Sequence, residues 1–190
     1  MDYIIYNIPE LPSGVADSVQ LPPEERENAA RRGGQYALVR TLLRCELERR
    51  TGVPAGDIEL SYSEHGKPLC ENQPFNLSHS GDCLCLAFHH SDIGVDVERE
   101  RPRNFAALAA RFMCPGQYAA FESRGFPPEE FYSCWCAAEA LVKLAGDTMW
   151  HAHHYPFLYE HGKIKCLFSP SPEVLLFIPM EGYRGAVAYR

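Results

Sequence analysis

A chain of 190 residues that is 46% hydrophobic and 23% charged can bury a sizeable core, as one domain or as two small halves sharing an interface. Its formal net charge of -7 argues against general nucleic-acid binding, which needs a basic surface to displace phosphate counterions. No apolar run approaches the ~18 residues of a membrane span, and the opening MDYIIYNIPE has no basic stretch followed by a long apolar one, so the expectation is a cytoplasmic protein with neither membrane nor nucleic acid as partner; a monomer is expected as well.

YIIYNI near the start reads as a strand ended by Pro9 and Pro12. From about Glu24 to Thr51, Leu38, Leu42 and Cys45 recur at helical spacing with arginines between them, and Gly52 and Pro54 stop the pattern. This predicts one amphipathic helix. IELSYS is expected as a strand, EHGKP as a turn, FNLSHS as a short strand or loop, and DCLCLAFHH as an apolar strand. A turn around Ser91 and Asp92 would close a hairpin between CLCLAFHH and IGVDVE. The second half predicts a helix near 103–113, another after Pro115, and a long one from Pro128 to Ala145, opened by Pro127, Pro128, Glu129 and Glu130 and closed by Gly146. HYPFLYE, KIKCLFS and GAVAYR close the chain as strands. Similar helix-then-strand content in each half hints at a duplication without a residue-level repeat.

IGVDVE (93–98) raises the first chemical question. As a strand it points Ile93, Val95 and Val97 to one face and Gly94, Asp96 and Glu98 to the other, so two carboxylates sit side by side and need a cation, a proton or solvent. In the long helix, Phe131, Trp135, Ala138 and Val142 form an apolar stripe, with Glu139 and Lys143 four apart beside it. Two readings of that pair stay open: a surface ion pair, or Glu139 as a third oxygen donor, beside Asp96 and Glu98, for a divalent ion such as magnesium.

Ser78 and His79 are adjacent in extended chain and therefore face opposite sides, which excludes a nucleophile–base pair between them. They suit phosphate binding, and Lys67 in HGKP is either a solvated turn lysine or a point charge for the same phosphates. Arg31, Arg32, Arg40 and Arg44 make an early basic cluster. The eight cysteines lack paired C-x-x-C spacing and read as reduced, buried small residues, and the histidines of WHAHHYPF (150–157) as partly exposed filler, with a cysteine/histidine metal or redox protein as the competing reading.

HGKP, FNLSHS, IGVDVE and WCAAEALVK, in this order between 65 and 143, with LVRTLL (38–43) and GYRGAVAY (182–189) around them, resemble the phosphopantetheinyl transferases of the surfactin-synthetase-activating type. The resemblance implies transfer of the phosphopantetheine arm of coenzyme A to a serine of an acyl, peptidyl or aryl carrier protein, with Mg2+. It implies that Asp96, Glu98 and Glu139 bind the metal, that Lys67, Ser78, His79 and Arg40 hold coenzyme A, and that Glu139 is the base while Lys143 serves the departing bisphosphate. It also implies an α+β fold in a pseudo-twofold arrangement of two similar subdomains, each a helix packed on a small antiparallel sheet. These are expected as 1–91, binding coenzyme A, and 92–190, binding metal and carrier. One position departs from the pattern, since Ala138 stands where the family usually has lysine. A catalytically impaired carrier-protein-binding relative is therefore the alternative. Asp96 is expected to be an exposed ligand, and Arg99, Arg101, Arg103 and Arg111 with Phe112 and Met113 to form the carrier-docking patch.

Overall fold

The computed structural model describes residues 1–190. In chain order it comprises β1 (Asp2–Asn7), α1 (Pro23–Arg32), α2 (Gly34–Thr51), β2 (Ser61–Tyr62), β3 (Pro68–Leu69), β4 (Phe75–Ser80), β5 (Cys83–Phe88), β6 (Ile93–Arg99), α3 (Phe105–Ala109), α4 (Pro115–Ser123), α5 (Pro128–Ala145), β7 (Phe157–Glu160), β8 (Lys163–Cys166), β9 (Glu173–Phe177) and β10 (Tyr183–Tyr189), with short 3-10 turns between some of them.

The alternation of side chains along a strand organises the molecule. On β5, Leu84, Leu86 and Phe88 join Val39, Leu42, Leu43 and Leu47 of α2 in one apolar cluster, while Cys83, Cys85 and Ala87 join Ile93, Val95 and Val97 of β6 in another. β5 is the middle strand of an antiparallel sheet ordered β1-β5-β4, and β6 starts a second antiparallel sheet ordered β6-β10-β9. Helix α5 covers the second sheet, with Ala137, Ala140 and Leu141 clustered against Ala186 and Ala188 of β10. The layers run helix, sheet, sheet, helix. This is the α+β arrangement of two similar halves that the motifs implied, and no backbone strand pairing crosses from 1–91 to 92–190.

β5 and β6 do not form the expected hairpin, because both edges of β5 are already bonded to β1 and β4 and the chain turns after Ser91 to start a new sheet. The single early helix is two helices. Gly33, at φ 90°, lies in the left-handed region open to glycine and separates α1 from α2. The helix expected near 103–113 shortens to Phe105–Ala109, started by the Asn104 side chain accepting from the Ala107 N–H. β9, which the sequence pattern did not predict, is an edge strand paired to β10.

The long helix holds its expected bounds, with Pro128 at the first position, Glu129 and Glu130 in the first turn, and Gly146 at φ 69° as the left-handed end. All eight cysteines are free, and both C-x-C pairs are buried, which agrees with their reading as small apolar residues. No helix is long and apolar enough to cross a membrane.

Candidate active site

β6 bonds to β10 on one edge only, and the other edge would leave a row of amides without partners. Side chains of β4 close it. Asn76 Oδ1 accepts from the Val95 N–H at 2.9 Å, Ser78 Oγ from the Val97 N–H at 3.2 Å, and Ser80 Oγ from the Arg99 N–H at 3.2 Å. A hydroxyl that accepts from an amide keeps its own proton to donate. Ser78 donates to Asp96 Oδ1 at 2.7 Å and Ser80 to Glu98 Oε2 at 3.0 Å, so the row that joins the two sheets also aims the two carboxylates. Asn76 and Ser80 were not singled out from the sequence. The polar residues at every second place of FNLSHS were the signal that marks them.

Asp96 is only 5% exposed, which corrects the expectation of an exposed ligand. The Lys143 ammonium donates to Asp96 Oδ1 at 2.7 Å, to the Val95 carbonyl at 3.2 Å and to Ser78 Oγ at 3.3 Å. Its three protons are all engaged, and the ammonium pairs with Asp96 across the helix–sheet interface instead of forming a surface pair with Glu139. Burial opposes the charge on Lys143, yet Asp96 and Glu139 hold its pKa above the ordinary lysine value. Asp96 Oδ2 is buried with no hydrogen-bond donor. Glu98 has Arg103 near it only at 3.8 Å. Glu139, one turn before Lys143, is partly buried, and desolvation pushes its pKa up to about 7; Lys143 opposes the shift, while Asp96 and Glu98 add to it.

Lys67 is not a solvated turn residue. Its ammonium donates to the Ile93 carbonyl at 3.0 Å and the Lys143 carbonyl at 2.8 Å, at the negative end of α5, and burial lowers its pKa. It thereby ties the start of the Asp96 strand to the end of the Glu139 helix. A cavity of about 310 Å3 opens there, lined by Lys67, Asn76, Leu77, Glu139, Lys143 and Asp147 among others.

His79 lies on the opposite face of β4, exposed, as alternation requires, and is not brought together with Ser78. It shares a second cavity of about 340 Å3 with Arg32, Gln35, Tyr36, Arg40 and Leu77. The Arg40 guanidinium lies over the Tyr36 and Tyr62 rings, 5.2 and 5.8 Å from their centroids. Its Nη1 is buried without an acceptor, and the carboxylate of Glu25 stands 3.9 Å from Nε, beyond hydrogen-bond reach. Leu77 lines both cavities, which therefore flank β4. Arg32, read from the sequence as part of the early basic cluster but not as a coenzyme A ligand, adds a second guanidinium. Arg44 belongs to the frame instead: it is buried, with Nε donating to Glu25 at 2.7 Å and Nη1 to the Ala55 and Ile58 carbonyls. The largest cavity, about 640 Å3 beside Arg44, is lined by Glu24, Glu25, Asp57 and Glu59 and holds none of the predicted site residues. Its acidity suits no phosphate.

Ala138 is 3% exposed within the α5 cluster, so a lysine side chain there would start inside the core. Phe112 and Met113 are 6% and 8% exposed and pack in the same cluster, which removes them as docking contacts and leaves only the exposed arginines of that patch.

The family model of the 4'-phosphopantetheinyl transferase superfamily matches residues 92–162, the stretch that carries Asp96, Glu98, Glu139 and Lys143. The 4'-phosphopantetheinyl transferase Sfp of Bacillus subtilis (strain 168) is 31% identical over 139 residues, covering 68% of this chain and 62% of that protein. HetI of Nostoc sp., a 4'-phosphopantetheinyl transferase, is 33% identical over 125 residues, covering 60% of this chain and 52% of its own. AcpT of Salmonella typhimurium, another 4'-phosphopantetheinyl transferase, is 38% identical over 101 residues, covering 48% of this chain and 52% of its own. The chain thus spans between half and two thirds of the length of these relatives. With the family model matched over the stretch that carries these carboxylates and with these relatives at 31% and 33% identity, the chain belongs to the 4'-phosphopantetheinyl transferase superfamily.

Proposed function

We propose that this protein transfers the 4'-phosphopantetheine group of coenzyme A to a serine of an acyl, peptidyl or aryl carrier protein. The observation that carries the reading is the gathering of three carboxylates, Asp96 and Glu98 from β6 and Glu139 from α5, with the Lys143 ammonium paired to Asp96, beside a cavity that Glu139 and Lys143 line.

Three carboxylates against the Lys143 ammonium and the more distant Arg103 still leave local negative charge, and the buried Asp96 Oδ2 has no donor, so the donor set fits a hard divalent cation. Asp96, Glu98 and Glu139 would hold magnesium, which when bound offsets the charge of the transferring phosphoryl group. The protein's own groups supply the rest. A carboxyl titrating near neutral pH is suited to accept the proton of a serine hydroxyl, which is a poor nucleophile until it is lost, and this is the role of Glu139. Lys143 sets the position of Asp96 and adds positive charge for the departing bisphosphate. Arg40, whose Nη1 lacks an acceptor, binds phosphate oxygens with His79 and Arg32 across β4. Ser78 and Lys67 act from the inner side, Ser78 by aiming Asp96 and Lys67 by tying α5 to β6 with one ammonium proton left for a phosphate. In this scheme residues 1–91 bind coenzyme A, and 92–190 bind the metal and the carrier.

Intact-protein mass spectrometry of a panel of apo carriers incubated with the full chain, coenzyme A and magnesium tests the reading. A phosphopantetheine mass increment on a carrier serine is expected, and an unmodified panel would favour the impaired relative. Glu139→Gln should lower kcat by about 100-fold or more, the scale of losing a general base, with a smaller change in coenzyme A affinity. Parental kcat would remove Glu139 as the base.

The same variant has a thermal signature in metal-free protein. Since the folded pKa of Glu139 is raised, its neutral form is what the fold favours, and stability declines as pH rises from the ordinary glutamate value of 4.5 through about 7. Glu139→Gln should therefore match the parent near pH 5 and gain in Tm over it toward pH 8. A difference independent of pH would contradict the buried-carboxyl assignment.

Carriers of the kind implied are acidic, and Arg101 and Arg111, which follow β6 in the chain, are exposed. The Arg101 backbone is pinned by the Tyr132 hydroxyl, which accepts from its N–H and donates to its carbonyl, each at 2.8 Å. Reversing both arginines to glutamate should raise the carrier KM roughly tenfold, with kcat little changed. An unaltered KM at low and moderate salt would place docking elsewhere.

A further inference from the structure

Beyond the carboxylate centre, a second group of ligand-type side chains stands at the end of α5. Gly146 ends the helix, Asp147 follows, and a 3-10 turn over Met149–His154 brings His151 and His154 to the same side. One ligand atom from each of Asp147, His151 and His154 lies within 4.8 Å of the others. We propose that Asp147, His151 and His154 form a binding site for zinc or a related transition-metal ion, separate from the magnesium site proposed above.

Four observations support it. The donor set of two imidazoles and one carboxylate is the kind that takes zinc with three protein ligands and an open fourth position, whereas magnesium prefers oxygen alone. The geometry is nearly assembled: tetrahedral donors about 2 Å from zinc lie roughly 3.3 Å apart, so donors within 4.8 Å of one another need to close by at most about 1.5 Å. That movement is available, because both imidazoles are exposed and their rings already lie nearly parallel, 16° apart with centroids at 5.2 Å. Finally, the carboxylate is anchored from outside the set, the Thr148 N–H donating to Asp147 Oδ1 at 2.7 Å and the Tyr155 hydroxyl to Oδ2 at 2.9 Å, the type of outer bonding that orients metal ligands. Without an ion, the ring nitrogen of His151 rests 2.8 Å from Asp147 Oδ1, a hydrogen bond that coordination would replace. His153, whose ring centroid is 4.2 Å from that of His154, is the nearest candidate for the fourth position. Asp147 also lines the cavity shared by Lys67, Glu139 and Lys143, so an ion here places positive charge at its rim.

Titration of the chelator-treated full chain with zinc alone, followed by calorimetry in excess magnesium, tests the site. One equivalent should bind with a Kd of roughly 1 µM or tighter. Asp96→Asn should retain this binding, whereas His151→Ala and His154→Ala, each altering an exposed side chain, should weaken it by about tenfold or more. Cobalt in place of zinc should give ligand-field bands without a thiolate charge-transfer band, which separates this site from any formed by cysteines and needs no variant. Binding no tighter than ~100 µM, unchanged affinity in both histidine variants, or a thiolate band would each overturn the assignment.

Discussion

Asp96→Asn is expected to abolish carrier modification, lowering the transfer rate by at least about 1000-fold, the scale seen when a charge-balancing group of phosphoryl transfer is lost. Asparagine is chosen because Asp96 is buried and serves two partners. Its Oδ1 accepts from Ser78 and from Lys143, and alanine would leave that ammonium facing the interior without its anion. The amide keeps an acceptor for both neighbours and removes the charge, while replacing the unpartnered Oδ2 by a group that repels a cation. The variant should therefore fold, with a Tm lowered by a few degrees, and fail in mass-spectrometric transfer assays at any magnesium concentration. Transfer within tenfold of the parent by a folded variant would show that the charge of Asp96 is not part of the reaction centre.

Gly94→Ala should do to the fold what Asp96→Asn does to the chemistry. A Cβ at position 94 would stand 2.0 Å from the Ala140 carbonyl oxygen and 2.5 Å from the Leu144 amide nitrogen, both backbone atoms of α5. No rotamer relieves a clash with helix backbone, and ordinary carbon–oxygen contacts lie beyond about 3.3 Å, so α5 would have to retreat by more than 1 Å. That retreat opens the apolar cluster of α5 and β10 and pulls Lys143 from Asp96 and from Val95. A loss of at least about 4 kcal/mol is expected, at the extreme of single substitutions, which for a chain of this size lowers Tm by roughly 10 °C or leaves no soluble folded protein. Thermal unfolding followed by near-ultraviolet circular dichroism checks it. A Tm within a degree or two of the parent would mean that the helix does not sit on this strand as described. Gly94 is thus the contact point that lets the helix of Glu139 approach the strand of Asp96 closely enough for a lysine to bridge them.

Local pattern was sufficient for much of this architecture. The bounds of α5 were legible because Pro128 and the following glutamates start a helix and Gly146 ends one, all within the helix's own sequence. The facing of IGVDVE was legible too, since alternation along a strand depends on nothing outside it, and it sorted Val95 and Val97 from Gly94 and Asp96 as the clusters show. The same rule set Ser78 and His79 on opposite sides of β4. Motif order then carried the family, because FNLSHS, IGVDVE and WCAAEALVK keep their spacing in the chain whatever the fold does with them.

What a residue meets across the molecule was a different matter, decided by which strands pair and which layers stack. β5 and β6 are neighbours in sequence with a good turn between them, yet β1 and β4 occupy both edges of β5, and long-range pairing overrode the local hairpin signal. The partner of Lys143 became Asp96 and not Glu139, since packing of α5 on β6 gave the ammonium a buried carboxylate nearer than its helical neighbour. Lys67, in a turn that reads as solvated, found the carbonyls of Ile93 and Lys143 because the end of α5 is folded back over it. Burial of Phe112, Met113 and Ala138, and the raised pKa of Glu139, likewise follow from the helix–sheet layers. The side-chain row of Asn76, Ser78 and Ser80 shows the division most clearly: its period of two was written in FNLSHS, but only an open edge of β6 lying alongside gave those three residues amides to bind and two carboxylates to aim.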